Sequence, residues 1–432
     1  MGILKNDEKT TLQNIGTLAT IIAGLTHGLV YSRDFKNSAK KKEADFTRTR
    51  KMGFEEVVLF MLTSMKSSTQ SSLRRFFANI GKKVFMTQQS FSEARTKINV
   101  SAFVALFKLT VGAMTEHLHE KWNGYLIYAV DGSKIALPSD KCLLEHFGTA
   151  GRGGTSPTAQ ASILYDVLND IVVDARIEPV SAGERELAKL HIDSCKGYAP
   201  DTNKIVIFDR GYPSFELIEK LENDGFHYVM RVREKFNLDI DAQTSDDGYV
   251  WLQKGEGRIQ VRIVKFELDG GEIETLITNV KDKNVDTVEF KKLYFLRWPV
   301  ETKYDFVKNK LQLENFSSRT VEGVGQDFFA AMYLTNVAAA AANDAQTEIN
   351  EVRKGKNNKY RYQANINELI GTLKDRLILA LTEDDTAVQD ELIQEIIMEI
   401  TRSVVPVRDN RSVPRNPSPR KSKFHHNRKT NC

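Results

Sequence analysis

The sequence predicts an α/β protein, with a strand-rich middle section that contains an inserted β region and has helical parts on either side. Three observations support this fold class. Up to about residue 120, apolar residues recur only at helical spacing. From Gly124 onward, short runs of β-branched and aromatic residues alternate with helical segments. Beyond about residue 320 the apolar pattern is helical again. A chain of 432 residues is long enough for two or three domains.

The first 120 residues predict helices only. The run "GFEEVVLFMLTSM" is apolar at helical spacing, and "SSLRRFFANIG" begins with serines and ends in glycine, as a capped helix does. The segment "TQQSFSEARTKIN" begins with Thr87 and carries Arg95 and Lys97. Two short helices with a basic second member are typical of a helix-turn-helix. A plain helical bundle explains the same pattern equally well.

The middle section predicts five strands and two helices. The first strand is "YLIYAVDGSKIAL", and the strands "ASILYDVLN" and "DIVVDARIEPV" follow as hairpins around a turn at Asn169 and Asp170. "ERELAKLHIDSC" has a helical pattern. "KIVIFDRG" is a short apolar run that ends in Asp209, which is typical of a central strand covered on both faces. "SFELIEKLENDG" begins with Ser214 and ends at Gly225 as a helix, and "FHYVMRVRE" is the fifth strand.

An inserted region and a second helical part follow. Residues from about 235 to 285 alternate apolar and polar residues between Gly-rich turns, which predicts a β-ribbon or small sheet. A helical region opens near Asp286, and Pro299 fits either the first residue of a new helix or a kink. Residues 321–405 predict helices, interrupted by the polar segment "RKGKNNKYRYQAN". The basic tail 406–432 predicts disorder, or order only with a partner.

Composition and charge narrow the class of protein. The chain is 41% hydrophobic and 27% charged, as is ordinary for a globular protein. The net charge is only +4, but Lys and Arg cluster in residues 33–51 and in the tail, which suits either a polyanionic partner or a solvated segment. The three cysteines form no CxxC motif, so we expect a reducing, cytoplasmic compartment. The apolar run at 15–31 is short for a membrane span and lacks a signal-peptide pattern, so we expect no membrane association.

Three acidic residues fall at the strand ends and edges of the middle section. Asp131 lies on the first strand, Asp209 closes the fourth, and Glu301 lies on the helix after the insertion. Open α/β sheets place their sites where strands end, so this element order predicts that the three carboxylates come together. Carboxylates without His or Cys ligands suit Mg²⁺. A pair of such ions supports phosphodiester displacement by water or a 3′-hydroxyl.

The stretch "LYFLRWPVETKYDFVK" spaces four polar side chains regularly. On an ideal helix Tyr294, Arg297, Glu301 and Lys308 would fall within an arc of about 60°. A solvated helix face with one i,i+4 Arg–Glu pair is the simplest explanation of this stretch taken alone. The carboxylates elsewhere in the chain favour a functional face instead.

The quoted motifs together resemble a known family. "AVDGSKIAL", "IVIFDRGYPS" and the Tyr-x2-Arg-x3-Glu-x6-Lys spacing resemble the DDE transposases of the insertion-sequence "IS four" family, for which that spacing is the signature. "LYDVLND" followed by "ERELAKLH" is also similar to the middle section of that family. The resemblance covers roughly residues 120 to 320, and the helical N-terminal part matches in character only.

The resemblance implies a catalytic core and a metal site. It implies an RNase H-like domain at 121–320, in which Asp131, Asp209 and Glu301 are the catalytic residues and the ligands of two Mg²⁺ ions. Mn²⁺ is the expected substitute for Mg²⁺.

The resemblance also implies contacts with DNA. It implies that Tyr294, Arg297 and Lys308 hold a phosphate at the transposon end, which suits the bidentate geometry of Arg and the point charge of Lys. Arg210, beside the second acid, is a further phosphate-binding hypothesis, with a structural role as the alternative. Trp251 in the inserted region is a hypothesis for base stacking, although a tryptophan is more often a core residue.

The function expected from this resemblance is cut-and-paste transposition. Residues 1–120 would then be a helical DNA-binding domain for terminal inverted repeats, target DNA would be the second substrate, and a homodimer would form on DNA. The protein would be associated with the nucleoid when bound to DNA. An RNase H-fold nuclease without strand transfer is one alternative, and an inactive copy that only binds DNA is another.

Overall fold

The computed structural model describes residues 16–48, 51–62, 68–151, 153–268, 270–282, 284–356 and 358–408. The chain divides into two compact units. One is continuous and covers residues 115–308, and the other combines the residues up to 114 with those from 309 onward. Within the described ranges, no helix combines the length and the apolar character that crossing a membrane requires.

Helices and strands alternate as the sequence pattern predicts. The helices are α1 (Leu18–Val30), α2 (Arg33–Ala39), α3 (Phe54–Leu62), α4 (Thr69–Asn79), α5 (Gln88–Arg95), α6 (Val100–His117), α7 (Lys141–Phe147), α8 (Glu184–Cys195), α9 (Phe215–Asn223), α10 (Leu238–Ala242), α11 (Thr287–Phe295), α12 (Trp298–Asp305), α13 (Val321–Arg353), α14 (Ile366–Leu381) and α15 (Thr386–Arg402). The strands are β1 (Leu126–Ala136), β2 (Thr158–Asp166), β3 (Ile171–Pro179), β4 (Lys204–Phe208), β5 (His227–Arg231), β6 (Asp247–Lys254), β7 (Gly257–Glu267), β8 (Ile273–Thr278), β9 (Arg361–Ala364) and β10 (Val404–Val407). A π-helical turn (Phe306–Lys310) follows α12.

The continuous unit is built on one mixed sheet. Its strand order is β3-β2-β1-β4-β5-β8-β7-β6. β4 runs parallel to both β1 and β5, and the other neighbouring strands are antiparallel. All five residues of β4 are buried, because a central parallel strand is covered on both faces. The predicted α/β fold is confirmed.

The inserted β region extends this sheet instead of forming a separate one. β8 pairs with β5, with Met230 opposite Ile277, and β7 and β6 continue outward from it. Alternating apolar and polar residues predict the strands themselves. These strands extend the sheet on its β5 side because β8 pairs with β5. The periodicity within a segment carries no information about such a distant partner.

Helix α11 packs on the sheet and forms part of a buried apolar cluster. Phe290, Leu293 and Tyr294 of this helix lie in one buried group with side chains of the sheet. The strand residues of the group are Ile127, Ile205, Ile207, Val229, Val264, Phe266 and Leu276. The helix that carries the first part of the Tyr-Arg-Glu-Lys spacing is therefore fixed by hydrophobic burial.

Pro299 lies in the first turn of α12, as the sequence suggested for the start of a new helix. The chain breaks between α11 and α12, so Tyr294 and Glu301 lie on different helices. Arg297 caps α12, and Lys308 lies in the π-helical turn beyond it. The four residues are thus not aligned on one continuous α-helix, and the break at the proline is the physical reason.

The second unit combines helices from both ends of the chain. Residues 1–120 and 321–405 were predicted as separate parts, but α13 packs against α1 and α3 in one compact unit. Hydrogen bonds also join its two halves: Thr26 Oγ1 lies 2.9 Å from the Tyr333 hydroxyl, and the Ala19 amide donates to Asp344 Oδ2 at 2.8 Å. Long-range packing of this kind leaves no local signal in the sequence.

Arg95, in the short basic segment, is buried within this unit. Its guanidinium donates to Gln326 Oε1 at 3.0 Å and to the Gly323 carbonyl at 2.9 Å, and it forms an ion pair with Asp327. A side chain that is only 3% exposed and bonded in this way is placed to stabilise the helical unit. Lys97, two residues later, is partly exposed.

The predicted tail begins within a strand. Pro406 and Val407 belong to β10, which pairs antiparallel with β9. Residues 409–432 lie outside the described part of the chain, so the prediction of disorder for them stays a prediction.

Candidate active site

Asp131 lies on β1, and Asp209 directly follows the neighbouring parallel strand β4. Ala129 of β1 pairs with Ile207 of β4, and Asp131 and Asp209 are each two residues further along. Side chains two residues apart on a strand point to the same face. Because Asp209 directly follows the last residue of β4, the register places it at the end of that strand, close to the position of Asp131 on β1.

Asp131 is partly buried in an acidic environment. Burial, together with the nearby charges of Glu301 and Glu184, raises the pKa of its carboxyl group to about 6. The Gly132 amide and the Arg297 guanidinium act in the opposite direction by stabilising the carboxylate. An acid that burial and like charges destabilise would be stabilised by a bound cation.

Glu301 is held by Arg297. Arg297 Nη2 donates to Glu301 Oε1 at 2.9 Å across one helical turn. The Glu301 side chain is 40% exposed, whereas the Arg297 side chain is 6% exposed. The Arg297 Nε–H is buried and has no hydrogen-bond partner among the described residues. The arginine would become available to another anionic ligand through its Nη groups if Glu301 left them.

Tyr294 links α11 to the second aspartate. Its hydroxyl donates to Asp209 Oδ1 at 3.3 Å. Burial and the Asp209 charge raise the pKa of Tyr294 to about 12, so the phenol keeps its proton and acts as a donor at neutral pH. Tyr294, Arg297 and Asp209 thus lie in one connected group.

Lys308 contacts the strand that carries the first aspartate. Its ammonium group donates to Ser133 Oγ and to the Lys134 carbonyl, both at 2.7 Å. Ser133 lies two residues beyond Asp131 on β1, so the lysine is placed on the same side of the site as that carboxylate.

The other two residues predicted to contact DNA, Arg210 and Trp251, are exposed on the surface. Arg210 directly follows Asp209 and is exposed. Trp251 is 43% exposed on β6, and the Arg258 guanidinium lies 4.3 Å from its ring centroid. Strands β4, β5, β8 and β7 separate β6 from β1 in the sheet. Trp251 is therefore a surface residue at the far side of the sheet and not a core residue.

Glu184 contacts the same site and was not among the predicted site residues. Its carboxylate lies within 3.2 Å of where a side chain on Gly132 would begin, and within 3.5 Å of the same point on Gly211. These glycines follow Asp131 and Asp209 closely in the chain. Glu184 begins α8, and its only signal in the sequence was its place in "ERELAKLH".

A buried polar chain supports the strand at Asp131. His191 Nδ1 lies 2.7 Å from Asp174 Oδ2, and His191 Nε2 lies 2.9 Å from Ser162 Oγ. Ser162 in turn donates to the Asp131 carbonyl at 3.3 Å. This arrangement resembles a Ser-His-Asp triad, but Ser162 and His191 are both fully buried and no substrate can reach them. Its effect is to hold β1 in place.

Tyr304 also bonds to this point of β1. Its hydroxyl donates to the Asp131 carbonyl at 3.0 Å, and it lies three residues after Glu301 on α12. One hydrogen bond therefore joins the helix of one predicted metal ligand to the strand of another.

We expect Tyr304→Phe to lower the rate of the reaction at this site about tenfold, because small misplacements of reacting groups reduce rates by such factors. Loss of one hydrogen bond should lower the free energy of unfolding by only about 1 kcal/mol. Tyr128→Phe is the matched control, because the Tyr128 hydroxyl on the same strand is buried without a partner among the described residues. Equal reaction rates in both variants would refute a positioning role for Tyr304.

The donor set suits a hard divalent cation. Asp131 and Asp209 supply carboxylate oxygens from neighbouring segments, and Mg²⁺ prefers oxygen ligands. Within the described ranges, no group of three His, Cys, Asp or Glu side chains is close enough together to hold a metal ion. Glu301 is instead paired with Arg297, so it would have to leave that pair to join the aspartates.

Comparisons with known proteins point to one family. Residues 122–337, half of the chain, match the family described as "Transposase DDE domain". The chain is 26% identical over 137 residues to a Synechocystis protein named as transposase for insertion sequence element IS4SA, with 30% of this chain and 39% of that protein covered. It is 26% identical over 147 residues to Escherichia coli K12 InsZ, also named as a transposase, with 32% and 47% covered. The chain thus spans less than half the length of these two relatives.

One solved structure supports the fold. A piggyBac transposase, determined by cryo-EM in a synaptic complex with hairpin DNA, superposes with a TM-score of 0.50 at 10% sequence identity. The match covers 94% of this chain and 89% of that one. At this identity the likeness concerns the fold alone.

Proposed function

This chain belongs to the transposase DDE domain family, and on that premise we propose that it catalyses cut-and-paste transposition of an insertion sequence. The observation that best supports this activity is the strand register that sets Asp131 beside Asp209, with Glu301 close enough to raise the pKa of Asp131. Proteins of this family use divalent metal ions, and an acid pair of this kind suits one.

Asp131, Asp209 and Glu301 would hold two Mg²⁺ ions, or Mn²⁺ as a substitute. Ions bound there lower the pKa of a water or 3′-hydroxyl and stabilise the leaving oxygen in phosphodiester displacement. Glu184 adds negative charge beside these ligands. Glu301 would exchange its bond with Arg297 for this role, which makes Arg297 available to a phosphate.

The residues around the acids would bind the phosphate of a transposon end. Arg297 would offer its Nη groups once Glu301 leaves them, and the Tyr294 hydroxyl would exchange its bond to Asp209 for one to the phosphate. Lys308 adds a positive charge on the Ser133 side. These donors orient the scissile phosphate and stabilise the charge that develops on its oxygens.

The reaction would run in two steps. Hydrolysis at the element's ends would break a phosphodiester bond and leave a 3′-hydroxyl. That hydroxyl would attack a target phosphorus, forming a new 3′-oxygen–phosphorus bond while the target's own 3′-oxygen leaves with the proton.

Its partners would be terminal inverted repeats and target DNA. The helices of residues 1–120, Arg210 and the basic segments would contribute phosphate contacts, which makes affinity fall with salt. Trp251, exposed and stacked with Arg258, would contact bases. Two ends must be joined, so we propose a homodimer on DNA. The protein would act in the cytoplasm, at the nucleoid.

The test is cleavage of DNA that carries the gene's flanking sequences, in the presence of Mg²⁺ and a target duplex. We expect wild type to cut at the repeat edges and join the ends to the target. Glu301→Gln should bind the same DNA but cut at least about 10³-fold more slowly, because a metal ligand is lost. Removing the metal with EDTA should stop wild type equally.

Glu289→Gln is the matched control, because Glu289 is a surface acid on α11 that pairs with Lys292. Cleavage without joining would identify a nuclease instead of a transposase. Binding without cleavage by wild type would identify a DNA-binding relic. Equal cleavage by wild type and Glu301→Gln would show that the catalytic helix is assigned wrongly.

A further inference from the structure

A basic, aromatic surface lies in the helical unit, outside the family match at 122–337. We name it the β9 surface, after the strand that carries part of it. It comprises Arg353, Lys359, Tyr360, Tyr362 and Arg408. A cavity of about 940 Å³ opens on it, and in the described part of the chain none of the ten residues that line this cavity is acidic.

The cations of the β9 surface are held against tyrosine rings. The Arg353 guanidinium lies 3.9 Å from the ring centroid of Tyr362. The Lys359 ammonium and the Arg408 guanidinium lie 5.4 Å and 5.9 Å from the ring centroid of Tyr360. A guanidinium stacked on a ring is fixed in orientation while its N–H donors remain available to acceptor oxygens. These charges are therefore more ordered than those of a freely solvated face.

The backbone beneath this surface is fixed as well. β9 pairs with β10, with Tyr362 opposite Pro406. Gln346 Nε2 of α13 donates to the Tyr362 carbonyl at 2.9 Å, which ties the strand to the helix. The nearby acids of α13 have other partners: Glu351 pairs with Lys354, and Glu348 Oε2 accepts from Thr401.

We propose that the β9 surface binds the phosphate backbone of double-stranded DNA, as a contact separate from the catalytic site. Ordered cations in a cavity without lining acids complement a polyanion with closely spaced charges. The sequence that follows continues the same chemistry, because residues 409–432 contain seven Lys and Arg and one Asp. Contacts to phosphate carry no base information, so this binding is independent of sequence.

The experiment measures equilibrium binding of the full chain to a labelled duplex of arbitrary sequence, without metal, over a range of KCl concentrations. Arg353→Ala/Lys359→Ala is compared with Lys121→Ala/Lys141→Ala, which removes two exposed lysines of the continuous unit. Each phosphate neutralised contributes about 0.9 to the slope of log K against log salt. We expect the first variant to lose about tenfold in affinity and about 2 in slope, and the control to match wild type.

Unchanged affinity and slope in Arg353→Ala/Lys359→Ala would overturn the proposal, as would equal losses in the control pair. Lys359→Glu, a single change at an exposed residue, keeps the test valid if the double variant does not fold. A variant that loses binding of poly-glutamate but keeps binding of DNA would indicate an acidic protein partner and would also overturn it. Because the assay contains no metal and no cleavage step, its result is independent of whether the chain proves to be a transposase.

Discussion

Asp131→Asn is expected to abolish DNA cleavage while leaving the fold as stable as wild type or more stable. Loss of a carboxylate ligand removes several kcal/mol of transition-state stabilisation, so the rate should fall at least about 10³-fold. Yet the Asp131 carboxylate is costly in the folded protein, because burial and neighbouring acids raise its pKa to about 6. The neutral amide avoids that cost and keeps nearly the same shape.

The raised pKa of Asp131 determines how the stability effect of Asp131→Asn depends on pH. The folded-state pKa of Asp131 lies above the unfolded value, so the metal-free unfolded chain releases this proton first as pH rises. Stability from this group is therefore present below about pH 4 and is lost as pH rises toward 6. Each pKa unit corresponds to about 1.4 kcal/mol. Because Asp131 is partly exposed, solvent reduces this effect. We expect Asp131→Asn to raise the free energy of unfolding by about 1–2 kcal/mol at pH 7.5 and to leave it unchanged at pH 4.

Urea unfolding of the metal-free protein at both pH values, together with the cleavage assay, measures the two expectations. Asp201→Asn is a suitable control, because Asp201 is an exposed acid of the same unit. If Asp131→Asn lowered stability and activity in parallel, Asp131 would be an ordinary structural residue. If it left cleavage intact, the assignment of the metal site would fail.

Arg95→Ala is expected to destabilise the helical unit by about 3–5 kcal/mol. Removing one partner of a buried ion pair leaves an uncompensated charge, here on Asp327, and leaves Gln326 Oε1 and the Gly323 carbonyl without their donor. A change of this size exceeds what most substitutions cause and approaches the whole stability of a small domain. We therefore expect partial unfolding of this unit at physiological temperature.

Thermal and urea unfolding followed by circular dichroism provide the measurement. Arg74→Ala is the control, because Arg74 is an exposed arginine of the neighbouring helix α4, and we expect a change below about 0.5 kcal/mol. A DNA-reading role for Arg95 predicts the opposite outcome: normal stability and weakened DNA binding. That result would restore the helix-turn-helix hypothesis for this segment.

The sequence was sufficient for the parts of the site that depend on local pattern. The apolar run before Asp209 identified a central strand, and Pro299 marked the start of α12. The order of elements then implied that Asp131 and Asp209 meet, and the strand register agrees with it.

Other features could not be predicted, because they depend on contacts between distant segments. The sequence pattern predicts that Arg95 is a surface cation on a short amphipathic helix. It is buried because it bonds to Gln326 and Asp327, which lie more than two hundred residues away in the chain. The same holds for His191 and Ser162, whose bonds to the strand of Asp131 require the folded sheet. The periodicity of apolar residues in the sequence does not predict hydrogen bonds between such distant segments.

The division of the helical unit between the two ends of the chain has a consequence for synthesis. The ribosome releases α1 to α6 first, yet the bonding partners of Thr26 and Ala19, Tyr333 and Asp344, emerge more than three hundred residues later. The sheet unit, continuous in the chain, can fold in the meantime. Until the C-terminal helices are synthesised, the apolar faces of the first helices stay exposed to chaperones and proteases. A product truncated after the sheet would contain only the N-terminal half of the helical unit. That half could not fold without its partner helices, and we expect such a product to be degraded.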